Sequence, residues 1–136
     1  MPLKLDLAPG ERIIINGAVI KNGNRRSALV LLNKAQILRE RLILSDQDVN
    51  TPAKRVYFPV QLMYLDPENF RDYTAEFTRR AAELAAVLTN EDAVGKIFQA
   101  VAAVGDRDFY RALILLRDVM DYEQTVLAPA PAAGTK

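Results

Sequence analysis

Two Asn-Gly dipeptides, Asn16-Gly17 and Asn22-Gly23, punctuate a run of short aliphatic segments near the start of the chain. Asn-Gly tolerates the positive φ that both central positions of a two-residue hairpin turn demand, so the pair constrains the segment around it to antiparallel strands. A turn at Asn16-Gly17 pairs Ile15 with Ala18, Ile14 with Val19, Ile13 with Ile20 and Arg12 with Lys21. If Asn22-Gly23-Asn24 is then a three-residue hairpin loop, Lys21 lies opposite Arg25, and Arg12, Lys21 and Arg25 form one row across three strands. Like charges directly opposed destabilise a sheet. Such a row makes sense when an anion sits on it, and a nucleic-acid backbone is the obvious candidate.

Around these hairpins the pattern predicts further strands. Leu3, Leu5 and Leu7 alternate on one side of a first strand, which Pro9-Gly10 ends in a turn. Ser27 to Leu32 is apolar enough for a strand buried on both faces. Asn33-Lys34 is a turn. Ala35 to Leu44 reads as strand or short helix, with strand favoured, and Ser45 to Asn50 as a polar loop.

Beyond this point the pattern is helical. Thr51-Pro52 has the form of an N-cap followed by proline at the first helical position. Pro59 inside that segment predicts a kink or a helix that begins only there; the alternative is a last strand with Val56, Phe58, Val60 and Leu62 on one face. Asp66-Pro67-Glu68 is a strong helix start, and Phe70, Tyr73, Phe77, Ala81, Leu84 and Leu88 follow at three- and four-residue steps. A helix from Asn90, carrying Val94, Ile97, Phe98 and Val101, stops near Gly105. Another from Asp106 puts Phe109, Leu113, Leu116 and Met120 on one side.

The expected fold is therefore α+β: an N-terminal antiparallel β-hairpin sheet followed by a C-terminal helical bundle, in one compact domain. Residues 1–66 form a basic β-rich part, 67–127 an acidic helical part, and 128–136, rich in Ala and Pro, a disordered tail. Through Leu65 there are ten Lys and Arg against five Asp and Glu, and after it eight against twelve, so the overall charge of +1 hides two parts of opposite sign. Opposite signs suggest different partners for the two parts.

Catalytic constellations are nearly absent. With neither Cys nor His in its 136 residues, the chain has no thiol nucleophile, no disulfide and no imidazole base or metal ligand. Ser27 and Ser45 have no histidine to activate them. Asp46 and Asp48 suit a solvated loop better than a cation site, and no phosphate-cradling glycine loop occurs. The expectation is no enzyme, no cofactor and no metal. Charges within the first twenty residues exclude a signal-peptide core, and no uncharged apolar run approaches the roughly 20 residues of a membrane helix. The expected location is the cytoplasm.

The basic residues carry more information. Arg25-Arg26 follows a turn, Arg39 and Arg41 share one side if their segment is extended, and Lys54-Arg55 would sit in a first helical turn, where positive charge opposes the helix dipole. Arginine suits bidentate phosphate contact and stacking on bases. Arg12, Lys21, Arg25, Arg26, Arg39, Arg41, Lys54 and Arg55 are the candidate RNA-binding set, against the plainer reading of a solvated cationic face.

Pro2-Leu3-Lys4-Leu5, Pro9-Gly10-Glu11, Asn16-Gly17-Ala18-Val19, Asn22-Gly23, Leu38-Arg39-Glu40 with Ile43-Leu44, Thr51-Pro52-Ala53 and the run from Tyr57 to Pro67 together closely resemble the FlbT family of alphaproteobacterial flagellin regulators. The likeness covers most of residues 1–125. It implies a cytoplasmic protein acting after transcription by associating with the 5′ untranslated region of flagellin mRNA, alongside a second small flagellar protein, FlaF. In some members of the family the effect is repression through message decay, in others support of flagellin synthesis. A protein-binding adaptor or chaperone-like factor of flagellin export, working through the acidic helices, is the alternative expectation, and a homo-oligomer is compatible with either. Pro9-Gly10-Glu11, the isoleucine strand and the Asn-Gly turn are also similar to the start of the carbon storage regulator family, small dimeric β-proteins that bind mRNA leaders.

Overall fold

A computed structural model describes residues 2–127; the tail expected to be disordered, 128–136, lies outside the described residues. Asn16 and Gly17 both take positive φ, 49° and 84°, and this turn joins β2 (Arg12–Ile15) to β3 (Ala18–Lys21) in the predicted register, from Ile15 with Ala18 to Arg12 with Lys21. The other neighbour of β2 is β5 (Ile37–Arg39), which pairs Ile13 with Arg39 and Ile15 with Ile37. β1 (Leu3–Leu7) pairs antiparallel with β4 (Ser27–Leu31). The result is a two-stranded sheet and a three-stranded sheet ordered β3-β2-β5.

The second predicted hairpin does not form. Asn22 donates from its side-chain amide to the carbonyls of Leu7 (3.3 Å), Ala8 (2.9 Å) and Arg25 (2.8 Å), and the Gly10 N–H donates to the Gly23 carbonyl at 2.9 Å. These bonds lash the linker after β3 to the linker after β1 and send β4 away to pair with β1. The three-strand row of Arg12, Lys21 and Arg25 is thereby corrected: Arg12 and Lys21 are opposed, but Arg25 is in no strand. β4 is half-buried on one face, with Val30 exposed on the other. The inner faces of the two sheets meet through Leu5, Leu7 and Ile13, with Ile15, Leu29, Leu31 and Ile37 packed around them.

After β5 the chain turns through a 3-10 segment at Glu40–Leu42 rather than continuing extended, so Arg39 and Arg41 do not share one side of a strand. Among the described residues, those up to Ile43 form one compact unit and those from Leu44 a second. The change to helical chain therefore comes earlier than the division at 66 and 67, and the first long helix belongs with the later ones.

The helical unit comprises α1 (Pro52–Leu65), α2 (Arg71–Val87), α3 (Glu91–Gly105) and α4 (Phe109–Leu127). α1 packs on α2 and α4, and α3 packs on α4. The helix begins at Pro52 and runs through Pro59, which rules out both a strand here and a start at Pro59. A mid-helix proline costs about 3 kcal/mol. Complete burial of Val56, Tyr57, Val60 and Met63 offsets it at about 1.5–3 kcal/mol for each large apolar side chain.

Every early N–H of α1 is accounted for: Pro52 has none, Ala53 donates to a Glu123 carboxylate oxygen (2.8 Å), and Lys54 donates to the Thr51 hydroxyl (3.3 Å). At Asp66-Pro67 the helix start is a 3-10 turn, Pro67–Asn69, before α2 proper, because the Asp66 carboxylate is engaged by the Asn69 amide instead of capping. Phe77, Ala81 and Leu84 form the buried stripe of α2, and Phe109, Leu113, Leu116 and Met120 that of α4. α3 buries Ala93, Ile97, Ala100 and Val104 and leaves Phe98 61 % exposed, so its buried face is rotated from the one expected. Its end also differs. The left-handed residue is Arg107 (φ 59°), not Gly105, and Asp108 N–H to Ala103 O with Arg107 N–H to Val104 O closes a Schellman motif. The Arg107 guanidinium lies over the Phe70 ring, 4.5 Å from its centroid, an attraction of about 0.5–2 kcal/mol that offsets the left-handed strain.

Candidate nucleic-acid interface

The β-unit carries eight Lys and Arg against three Asp and Glu, and the rest of the chain ten against fourteen. At one end of the β-unit the two lashed linkers run side by side. Arg12 opens β2 where the first linker ends, Lys21 closes β3 where the second begins, and Arg25-Arg26 lead into β4. The structure therefore groups Arg12, Lys21, Arg25 and Arg26 at the same end of the strands: Arg12 and Lys21 are opposed in the β2–β3 ladder, and the Asn22 amide ties the linker that carries Arg25-Arg26 beside them. All four are exposed.

Their counter-charges are few. Arg12 has Glu40, with Nε 3.7 Å from a carboxylate oxygen that also accepts the Arg12 backbone N–H. Lys21, Arg25 and Arg26 have no carboxylate within ion-pair distance among the described residues. An ion pair as exposed as Arg12–Glu40 contributes about 0–1 kcal/mol, so it leaves Arg12 able to turn to another anion.

Arg39 is committed elsewhere. Its guanidinium donates to Glu11 Oε2 at 2.9 and 3.2 Å and to the Asp6 carbonyl at 2.7 Å. Glu11 also accepts the Ala8 N–H (2.9 Å); that bond first, and the Arg39 guanidinium second, hold its carboxyl below the ordinary value of 4.5. Glu11 and Arg39 are thus the internal brace of the linker end. Arg41 is exposed in the 3-10 turn. Lys54 and Arg55 lie in the first turns of α1, in the other unit, Lys54 with its ammonium 3.4 Å from the Asn50 side-chain oxygen and Arg55 exposed on a groove lined by Phe58, Pro59, Tyr73 and Arg80.

Sequence reasoning missed Asn22 and Glu11, one the knot and the other the brace. Its eye was on charge, while Asn22 works through three neutral hydrogen bonds. Pro9-Gly10-Glu11 was the available signal, since a carboxylate directly after a turn can reach back to the turn's N–H groups.

A paired-sheet unit with a net cationic end, joined to an acidic four-helix unit, defines a small two-part α+β protein. The chain belongs to the FlbT family: the family described as Flagellar protein FlbT matches residues 3–127. It is 46 % identical over 123 residues to the probable flagellum biosynthesis repressor protein FlbT of Caulobacter sp. (strain K31), covering 90 % of this chain and 94 % of that protein. It is 44 % identical over 123 residues to the flagellum biosynthesis repressor protein FlbT of Caulobacter vibrioides, covering 90 % and 87 %, and 33 % identical over 126 residues to a Bradyrhizobium diazoefficiens relative, covering 93 % and 92 %. These relatives are named as repressors, not as enzymes. No solved structure matches the chain.

Proposed function

We propose that the protein regulates flagellin synthesis after transcription, in the cytoplasm, by associating with the 5′ untranslated region of flagellin mRNA through the cationic end of its β-unit. The observation that carries this reading is the grouping of Arg12, Lys21, Arg25 and Arg26 around the Asn22 knot, with Glu40 paired to Arg12 and Glu11 engaged by Arg39 as the nearby carboxylates. The family and the repressor names of its relatives support flagellar regulation, with a negative sign. Arginine in exposed linkers can meet phosphate bidentately and stack on unpaired bases.

The test is a titration of purified protein with a flagellin leader RNA and a scrambled control at several salt concentrations. Each phosphate contact to a single strand contributes about −0.7 to the slope of log affinity against log salt, so three or four contacts give roughly −2 to −3, and four lose about fifty-fold in affinity between about 50 and 200 mM salt. Neutralising Arg12, Lys21 and Arg25 together brings the slope to about −0.7, the single contact left to Arg26, or nearer zero where only three contacts are made. The fold keeps its stability, because Arg12 and Lys21 are like charges in opposition. An unchanged slope in the folded variant removes this surface as the RNA site.

A second reading, a protein-binding adaptor of the flagellin system acting with FlaF or flagellin itself, is favoured by the exposed Phe98 and Val101 on α3 of the acidic unit. Failure of the unmodified protein to bind any leader RNA puts that reading first.

A further inference from the structure

β3 is an edge strand with one neighbour, β2, and all four of its residues are exposed. Val19 is 68 % and Ile20 37 % exposed. The strand is short and ends in a charge, Lys21, but it has neither a proline nor a bulge to close the edge between Ala18 and Ile20.

The hydrogen-bond parity of the hairpin shows which groups that edge offers. The Asn22 N–H donates to the Glu11 carbonyl at 2.8 Å. Inward-bonded residues alternate along an antiparallel strand, so Ile20 and Ala18 bond β2 while the N–H and C=O of Val19 and Lys21 point outward. No other strand takes them among the described residues.

We infer that this edge pairs with β3 of a second copy of the chain, antiparallel and two-fold symmetric about Val19. The strand is complementary to itself in that register. A two-fold axis perpendicular to a sheet keeps each residue on its own face, so Val19 meets Val19 of the second copy in a hydrogen-bonded pair, and Ala18 meets Ile20 on the other face. Lys21 falls opposite Gly17 of the second copy, which has no side chain to obstruct or repel it. A shift by one residue would break this, since it would set inner-face residues against outer-face ones.

The two Lys21 residues end up roughly 14 Å apart along the ribbon at about 3.4 Å per residue, beyond a Debye length of about 8 Å at physiological salt. The joined sheet runs through six strands, and each half keeps its own cationic end. Three cross-strand pairs bury on the order of a few hundred Å², well below a standard interface. The dimer is accordingly weak, with a dissociation constant on the order of 10–1,000 μM, and forms at high local concentration, as on one RNA.

Sedimentation equilibrium of the full chain up to about 1 mM tests this, together with Val19→Pro and Val19→Lys. Because the Val19 N–H faces away from β2, proline there removes only the outward donor and leaves the β2–β3 ladder whole. Lysine there sets two like charges together on the axis. The expected result is a concentration-dependent rise from 15.2 kDa toward twice that mass, lost in both variants while their circular dichroism and melting match the parent. A parent that stays monomeric throughout overturns the inference. So does a dimer that survives both variants, whether or not Phe98→Asp on α3 then disperses it.

Discussion

Glu123 is the one buried acid among the described residues of the helical unit, 6 % exposed near the end of α4. One of its oxygens accepts the Ala53 N–H at the start of α1 (2.8 Å), and the other, Oε1, has no hydrogen-bond partner among the described residues. It therefore serves as an N-terminal cap delivered from another helix. Replacing it with alanine removes a charge-assisted hydrogen bond and leaves the Ala53 N–H, on a residue 1 % exposed, without an acceptor. Hydrogen bonds to charged groups contribute about 1.5–3 kcal/mol, and an orphaned buried donor costs about 1–3 kcal/mol. The parent already bears the desolvation of an unpartnered Oε1, which loss of the carboxylate relieves, so the net for Glu123→Ala is about 2–3 kcal/mol. At roughly 3–5 °C per kcal/mol for a chain of this length, the melting temperature falls by roughly 10 °C. Glu123→Gln keeps an acceptor for Ala53 and loses the charge at the positive end of the α1 dipole, about 1 kcal/mol, or roughly 4 °C. Urea unfolding followed by the far-UV helical signal measures both. A neutral Glu123→Ala, or a glutamine variant as unstable as the alanine one, refutes the cap.

The remaining expectations concern Glu11 and Gln61. Because the Glu11 carboxyl is held below its ordinary value of 4.5 in the folded state, its contribution to stability is fully present above that pH and is lost as pH falls through the lowered folded value; Glu11→Gln should abolish this part of the acid dependence, and an identical acid-unfolding profile in parent and variant counts against the Ala8 and Arg39 contacts. Gln61 donates to the Leu44 carbonyl (2.9 Å) and accepts the Leu44 N–H (2.8 Å), so Gln61→Leu should cost about 2 kcal/mol, two hydrogen bonds' worth, and accelerate hydrogen exchange at Leu44 well before global unfolding. Unchanged exchange there would show that Leu44 is held by something else.

Local chemistry was legible in the sequence, and the choice of distant partner was not. The Asn16-Gly17 turn fixed the β2–β3 register to the residue because positive φ at two adjacent positions leaves one solution. Thr51 and Asn90 marked the true starts of α1 and α3, each accepting the N–H three residues on. Asn22-Gly23 carried the same local signature as Asn16-Gly17, but the Asn22 amide found carbonyls of a linker far away in sequence, and no pattern within the hairpin encodes that. Arg12, Lys21 and Arg25 do lie at one end of the β-unit, but the three-strand row that the pattern suggested is not what brings them there. Arg39 shows the converse: as a bare letter it counts as a free cation, and only the fold reveals that Glu11 and the Asp6 carbonyl already hold it. On α3 the small Ala93, Ala100 and Ala103 take the buried face, since close helix approach favours them, and Phe98 is displaced to the surface against its hydrophobicity.

The Asn22 knot also gives the β-unit a chemical lifetime. An asparagine followed by glycine loses ammonia readily through a backbone succinimide, because the glycine amide is unhindered, and the side chain that remains is a carboxylate with acceptors only. At Asn16 an aspartate product would keep its hydrogen bond: it is the Oδ1 atom that takes the Gln36 N–H, at 2.9 Å, and a carboxylate would take it as well. At Asn22 it is the amide nitrogen that holds three carbonyls, so ageing would aim negative oxygen at the oxygens of Leu7, Ala8 and Arg25 and part the two linkers. Arg25 and Arg26 would then drift from Arg12 and Lys21 without any of the four having been altered, and an old molecule would differ from a fresh one at a residue that bears no charge when it is made.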